Sequence, residues 1–146
     1  MKAYGILISS VIGWLIAGIL KVPIYKITHK KWKWSLIFST GGMPSTHSAF
    51  VSGVALAVGL FSGFYTPAFA VAFALSAIVV SDAVGVRRQA GFHAQRINLI
   101  LNEVLKRKQI SESELKEVLG HTPFEVAAGV AVGMITVFLI WLIWPK

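Results

Sequence analysis

Apolar residues run along this chain in blocks that are too long for a soluble core and that show no polar face. An uncharged apolar stretch of ~18 or more residues reads as a transmembrane helix. Residues 3–20 form one such block. Residues 34–81 contain no Asp, Glu, Lys or Arg and are long enough for two more. The turn-like Ser62-Gly63-Phe64-Tyr65-Thr66-Pro67 divides them into 45–61 and 64–81. Residues 126–144 form the last. The pattern predicts an all-α integral membrane bundle of about four transmembrane helices, forming a single domain over residues 1–146. Each span is near the short end of what a ~30 Å hydrocarbon core requires. Lys2 ahead of the first block also fits a signal peptide. Leu20-Lys21-Val22 is a poor cleavage site, so this block is read as a retained span.

After the third block the period changes. Ile97, Ile100, Leu101, Val104 and Leu105 recur at the spacing of an amphipathic helix. Asn98, Asn102, Glu103, Lys106 and Arg107 occupy the remaining face. Ser111-Glu112-Ser113-Glu114 reads as a capping box. It opens a short helix with Leu115, Val118 and Leu119, and Gly120 supplies its stop. One or two amphipathic helices are therefore expected over about 96–119. Packing onto the spans is the simpler reading, and lying on the membrane is the alternative.

Composition sharpens this picture. Hydrophobic residues make up 55% of the 146 positions and mean hydropathy is +0.71, above ordinary soluble domains. The chain has no cysteine, which excludes disulfides, thiolate metal sites and a cysteine nucleophile. The net charge of +8 would suggest nucleic acid in a soluble protein. Here the basic residues flank apolar spans, so membrane lipids are the expected partners and nucleic acid is not. With four spans, 12 of the 14 Lys and Arg fall on one side and only Lys2 and Lys146 on the other. By the positive-inside rule the basic loops are cytoplasmic and both termini lie outside, in a multi-pass protein of the cell membrane. Trp141 and Trp144 suit the outer interface, and Trp32 and Trp34 the inner one.

The charge-free region is interrupted by Gly-Gly-Met-Pro-Ser-Thr-His, residues 41–47. Gly41 and Gly42 break regular structure, Pro44 suits a helix start, and Ser45 or Thr46 can cap it. A glycine loop feeding a helix start at the cytoplasmic edge makes an anion site, because free N–H groups and the positive dipole end face the mouth. Ser45 and Thr46 add hydroxyls, and His47 points back toward the mouth. A plain helix cap with an interfacial histidine explains this stretch equally well by itself. The design recurs, however, in Gly120-His121-Thr122-Pro123-Phe124-Glu125. There Thr122 caps, Pro123 opens the helix and Glu125 completes a capping box. Arg87 and Arg88 follow the third span on the same side and can hold phosphate oxygens bidentately. Ordinary positive-inside charge explains them as well. Asp82 is their expected partner or orienting residue. These residue types suit a phosphate ester. They suit a metal poorly, since acidic ligands are scarce and the surroundings are cationic, and no metal or other cofactor is expected.

At these residues the chain resembles the type 2 phosphatidic acid phosphatase superfamily, which includes the vanadium haloperoxidases. It is most similar to the divergent small integral-membrane branch. Pro44-Ser45-Thr46-His47 is similar to the family's Pro-Ser-Gly-His, with Thr for Gly. His121 followed by Glu125 is similar to the last motif, with Glu for Asp, and the small residues Ala127, Ala128, Gly129 and Gly133 follow. Gly85-Val86-Arg87-Arg88 is similar to a segment of the divergent branch. The first motif, a Lys followed by Arg-Pro, is absent; Lys30, Lys31 and Lys33 are candidates to replace its lysine. Between the arginines and His121 stand 32 or 33 residues, more than the family's usual spacing. His93 lies six residues after Arg87, at that usual spacing, but residue 97 is Ile rather than a carboxylate. His121 is therefore preferred as nucleophile, with His93 as the alternative.

The resemblance implies a metal-independent lipid phosphate or isoprenoid (di)phosphate phosphatase with its site at the cytoplasmic face. It implies that His121 attacks phosphorus to give a phosphohistidine and that Glu125 fixes its tautomer. His47 exchanges protons with the leaving group and water, while Arg87, Arg88, Ser45 and Thr46 hold the phosphate. Two other classes stay open: a non-catalytic lipid-phosphate binder or transporter using the same anion site, and a structural protein whose motifs are only caps. Four short spans give a site little cover, which makes a homo-oligomer plausible.

Overall fold

The computed structural model describes residues 2–39, 41–105 and 120–145, and its shortest apolar helix stands at the centre of the bundle. In chain order the helices are α1 (Lys2–His29), α2 (Thr46–Ser62), α3 (Pro67–Val84), α4 (Val86–Leu105) and α5 (Pro123–Ile143), with a 3-10 turn at Trp34–Phe38 between α1 and α2. The described residues include no strand. α1, α5 and the run Pro67–Leu101, which joins α3 to most of α4, are long and apolar enough to cross a membrane. α2 has 17 residues, about 25 Å of helix, and packs against α1, α3 and α5.

Small residues explain why α2 is central. Lipid tails are as apolar as leucine, so helices in a bilayer associate through close backbone packing rather than apolar burial. A Cβ on Gly129 would run into the Ser45 carbonyl, and one on Gly133 into the Ala49 carbonyl. The two glycines thus let α5 lie backbone to backbone on α2. A Cβ on Gly53 would meet Val137 at 3.3 Å, and one on Gly13 would come 3.5 Å from the Gly133 Cα. Buried hydroxyls in this seam turn back onto their own helices. Ser9 donates to the Gly5 carbonyl, Ser10 to that of Ile6 and Ser52 to that of Ser48, each at 2.7 Å. At the far end Ala57, Phe61 and Val137 form an apolar cluster, closed by Trp144 edge-on to Phe61. α3 is the peripheral helix. Val71, Phe73, Leu75 and Ile78 are exposed on it, a surface suited to lipid.

Helix ends follow local chemistry. Thr66 caps α3 by accepting from the Phe69 amide at 3.2 Å, and Pro67 takes its first position. α3 therefore starts three residues after the expected 64. α1 continues past residue 20 to His29, with Pro23 inside it. α4 begins at Val86, ten residues before the expected 96, because Arg87, Arg88, Gln89 and Ala90 favour helix. The second half of the expected insertion, 106–119 with its capping box, lies outside the described residues, as do the side chains of 102–105.

Candidate functional site

Gly120 begins the site. Its φ of +91° is a conformation that glycine adopts without strain. A Cβ there would also overlap the backbone of Arg87 and Arg88, so only glycine lets this loop press on the start of α4. The next amide, of His121, donates to the Ala83 carbonyl at 3.1 Å. The loop before α5 is thereby fixed to the α3–α4 junction, and the long sequence gap between Arg88 and His121 closes in space.

Thr122 then caps α5. Its hydroxyl accepts from the Glu125 amide at 3.3 Å, and the Glu125 carboxylate accepts from the Thr122 amide at 2.9 Å. This capping box aims Glu125 back at the loop. The same oxygen, Oε2, lies 3.3 Å from Nδ1 of His121, whose side chain is almost fully buried. A carboxylate on Nδ1 selects the tautomer that leaves the lone pair on Nε2.

The second helix start is joined directly to the first. Past Gly42 (φ +84°) and the cis Met43–Pro44 peptide, the Ser45 amide donates to the Glu125 carbonyl at 3.0 Å. The Ser45 side chain is fully buried and caps α2, accepting from the Ser48 amide at 3.4 Å and the Ser48 hydroxyl at 2.9 Å. Thr46 is buried as well, whereas His47 is exposed in the first turn of α2. His47 is close enough to Arg87, His121 and Lys21 to feel their charges.

The arginines diverge. Arg87 Nε donates to Asp82 Oδ2 at 2.6 Å. The Arg88 guanidinium lies 5.5 Å from the centre of the Phe92 ring. His93 is exposed farther along α4 and lines a separate hollow of about 980 Å³ with Arg96 and Leu99. The structure therefore brings His121, Glu125, His47 and the start of α2 together with Arg87 and its partner Asp82. The backbone of Arg88 joins them while His93 stays apart. Among the described residues, no group of three or more His, Cys, Asp or Glu is placed to hold a metal ion.

Lys21 is the residue that sequence reasoning missed. In the sequence it stands as cytoplasmic charge and as part of a poor cleavage site, yet it is 1% exposed, and its Nζ donates to the Ser39 carbonyl at 2.6 Å. It is near enough to Glu125 to interact with it electrostatically. A signal was present. Gly5, Ser9, Gly13 and Ala17 are buried on α1 at steps of four, and Lys21 is the next step of that stripe. Lys21 and Glu125 line one end of a cleft of about 790 Å³ between the last turns of α1 and the loop before α2. Lys33 lies at the same cleft, while Lys30 and Lys31 are exposed near the end of α1.

The family model described as "Divergent PAP2 family" matches residues 3–136. An uncharacterized membrane protein of Bacillus subtilis (strain 168), YuiD, is 41% identical over 140 residues, covering 88% of this chain and 89% of that protein. No solved structure matches the chain.

Proposed function

The chain belongs to the divergent PAP2 family, and from that premise we propose a membrane-embedded phosphatase for a lipid phosphate or an isoprenoid mono- or diphosphate. One observation carries the reading: two histidine-bearing helix starts, 80 residues apart, are locked together by the Ser45–Glu125 backbone bond. A helix cap requires neither the second helix start nor a histidine in each.

In this reading Nε2 of His121 attacks phosphorus while the bond from phosphorus to the leaving oxygen breaks. Glu125 holds the Nδ1 proton and stabilises the charge that develops on the ring. His47 gives a proton to the leaving oxygen, then takes one from the water that cleaves the phosphohistidine and releases phosphate. Arg87 and Arg88, the dipole end of α2 at Ser45 and Thr46, and the Lys21 ammonium stabilise charge on the non-bridging oxygens. Asp82 orients Arg87. The substrate's tail stays in the bilayer and its head reaches the cytoplasmic edge. No metal has a role in these steps. A binder or carrier is the second reading, favoured by Arg87 being engaged with Asp82.

The test is phosphate release by the purified, detergent-solubilised protein from phosphatidic acid, phosphatidylglycerol phosphate and isoprenyl diphosphates, with chelator present. His121→Ala and His93→Ala run beside it. Release lost only in His121→Ala supports the reading. Loss only in His93→Ala moves the nucleophile to α4. Binding of these lipids without release by folded protein supports the carrier.

A further inference from the structure

α1 outlasts its apolar run by nine residues, from Lys21 to His29. One face of this overhang, with Lys21, Tyr25, Thr28 and His29, forms a wall of the 790 Å³ cleft. Lys33 and the loop before α2 form other parts of the lining, and Glu125 ties the inner end to the reaction centre. The volume is in the range that holds a whole polar headgroup rather than a single phosphate.

Polar groups mark both ends. Lys21 stands at the inner end, where Glu125 is its acidic neighbour. At the outer end His29 brings a ring N–H, which an imidazole offers even when neutral, and Lys33, four residues on in the chain, adds charge to the same lining. The C-terminal half-negative charge of the α1 dipole acts against an anion here. Lys26 and His29 in the last turn, with Lys33 beyond it, counter that field. No acidic residue precedes Asp82 in the chain, and among the described residues Glu125 is the only carboxylate lining the cleft.

The geometry points to a second phosphoryl-binding subsite at the outer end of this cleft, held by His29 and Lys33 and distinct from the reaction centre. It rests on the phosphatase reading for the identity of the inner end. His29 is eight residues after Lys21 on the helix, a rise of about 12 Å. The adjacent phosphoryl groups of a diphosphate share one oxygen and do not span this length. A headgroup with two phosphoryl groups on a glycerol-sized spacer fits better, with long lysine arms closing the remainder. Free inorganic phosphate offers the same chemistry at the outer end.

Calorimetry on the detergent-solubilised protein tests this with inorganic phosphate, glycerol 3-phosphate and glycerol 1,3-bisphosphate. The comparison is wild type against His29→Gln/Lys33→Ala, with thermal unfolding as the control for fold. If a headgroup fills the subsite, the bisphosphate binds wild type about tenfold more tightly than glycerol 3-phosphate, the worth of one hydrogen bond to a charged group. The double variant then loses that preference. If free phosphate fills it, wild type takes two phosphate ions and the variant one, with no preference for the bisphosphate. A single anion site unaffected by the double substitution overturns the proposal. Phosphate release from phosphatidic acid, measured on the same samples, separates the two ideas. Release with no second anion leaves the phosphatase reading standing alone, and a second anion without release leaves only the subsite.

Discussion

The Ser45 amide and the Glu125 carbonyl are hydrogen-bonded at 3.0 Å, and one turn later the Gly129 backbone lies against the Ser45 carbonyl. The candidate site and a close backbone contact between α2 and α5 are therefore one piece of structure. A Cβ at Gly129 has no space, because its neighbour is backbone rather than a movable side chain. Gly129→Ala is expected to lose about 1–3 kcal/mol of stability by overpacking and to reduce phosphate release with it. Gly13→Ala is the control, since its nearest atom would be 3.5 Å away, an ordinary contact. Thermal unfolding in detergent checks the pair. Equal stability of Gly129→Ala and wild type would falsify the close-packed account.

Glu125 makes two contacts, with the Thr122 amide and with His121, that one substitution separates. Glutamine can still accept from the Thr122 amide and keep the capping box, but it removes the charge beside His121. Glu125→Gln is expected to unfold within about 0.5 kcal/mol of wild type. Its phosphate release should fall by about two to four orders of magnitude, as when a triad carboxylate becomes an amide. Glu125→Ala should lose the cap as well, costing about 1 kcal/mol. If Glu125→Gln turns over like wild type, the carboxylate is a cap only.

What the sequence revealed follows the range of the interactions. Thr122 with Glu125 and Ser45 before α2 are local devices in which partners lie three residues apart, and both caps form as the residues suggest. The Thr66-Pro67 start of α3 is equally local, but in the sequence these residues stand inside a turn-like run. The rest depends on contacts across the chain. Nothing near Gly120 announces that its Cα rests on the Arg87–Arg88 backbone. Nor does anything near Arg87 show that it pairs with Asp82 while Arg88 turns toward Phe92. Lys21 is the middle case. Its position in the small-residue stripe was readable, but its meaning required knowing that the stripe faces α2 and α5.

Lys21→Met tests whether that buried ammonium serves the fold or the chemistry. Replacing a buried charge with an apolar side chain of similar length is often neutral or stabilising. The orphaned Ser39 carbonyl works against this, but Ser39 is only partly buried and water can replace the bond. Stability should therefore stay within about 1 kcal/mol of wild type. Phosphate release should fall about 10²–10³-fold, the usual loss when one preorganised donor is removed from a site. Lys21→Arg should not restore it, because a planar fork does not replace a point charge in a closed space. A fully active Lys21→Met would remove Lys21 from the site.

Sidedness decides which leaflet supplies the substrate, and the chain suits the measurement because it has no cysteine. By the positive-inside rule the 12-to-2 charge asymmetry predicts that the basic loops, and with them the proposed site, face the cytoplasm. Tyr65, between α2 and α3, is fully exposed, and Lys31 is exposed beyond the end of α1. A single cysteine at either position should cost less than about 0.5 kcal/mol, as exposed substitutions usually do. A membrane-impermeant maleimide added to intact cells is expected to label Tyr65→Cys. Lys31→Cys should react only after the membrane is opened. The reverse pattern would place His47 and His121 outside, and the lipid phosphate would then come from the outer leaflet. Labelling of both in intact cells would mean that Lys31 and Tyr65 are on the same side. α2 would then not cross the membrane, in keeping with its 17 residues, and the four-span count would fall with it.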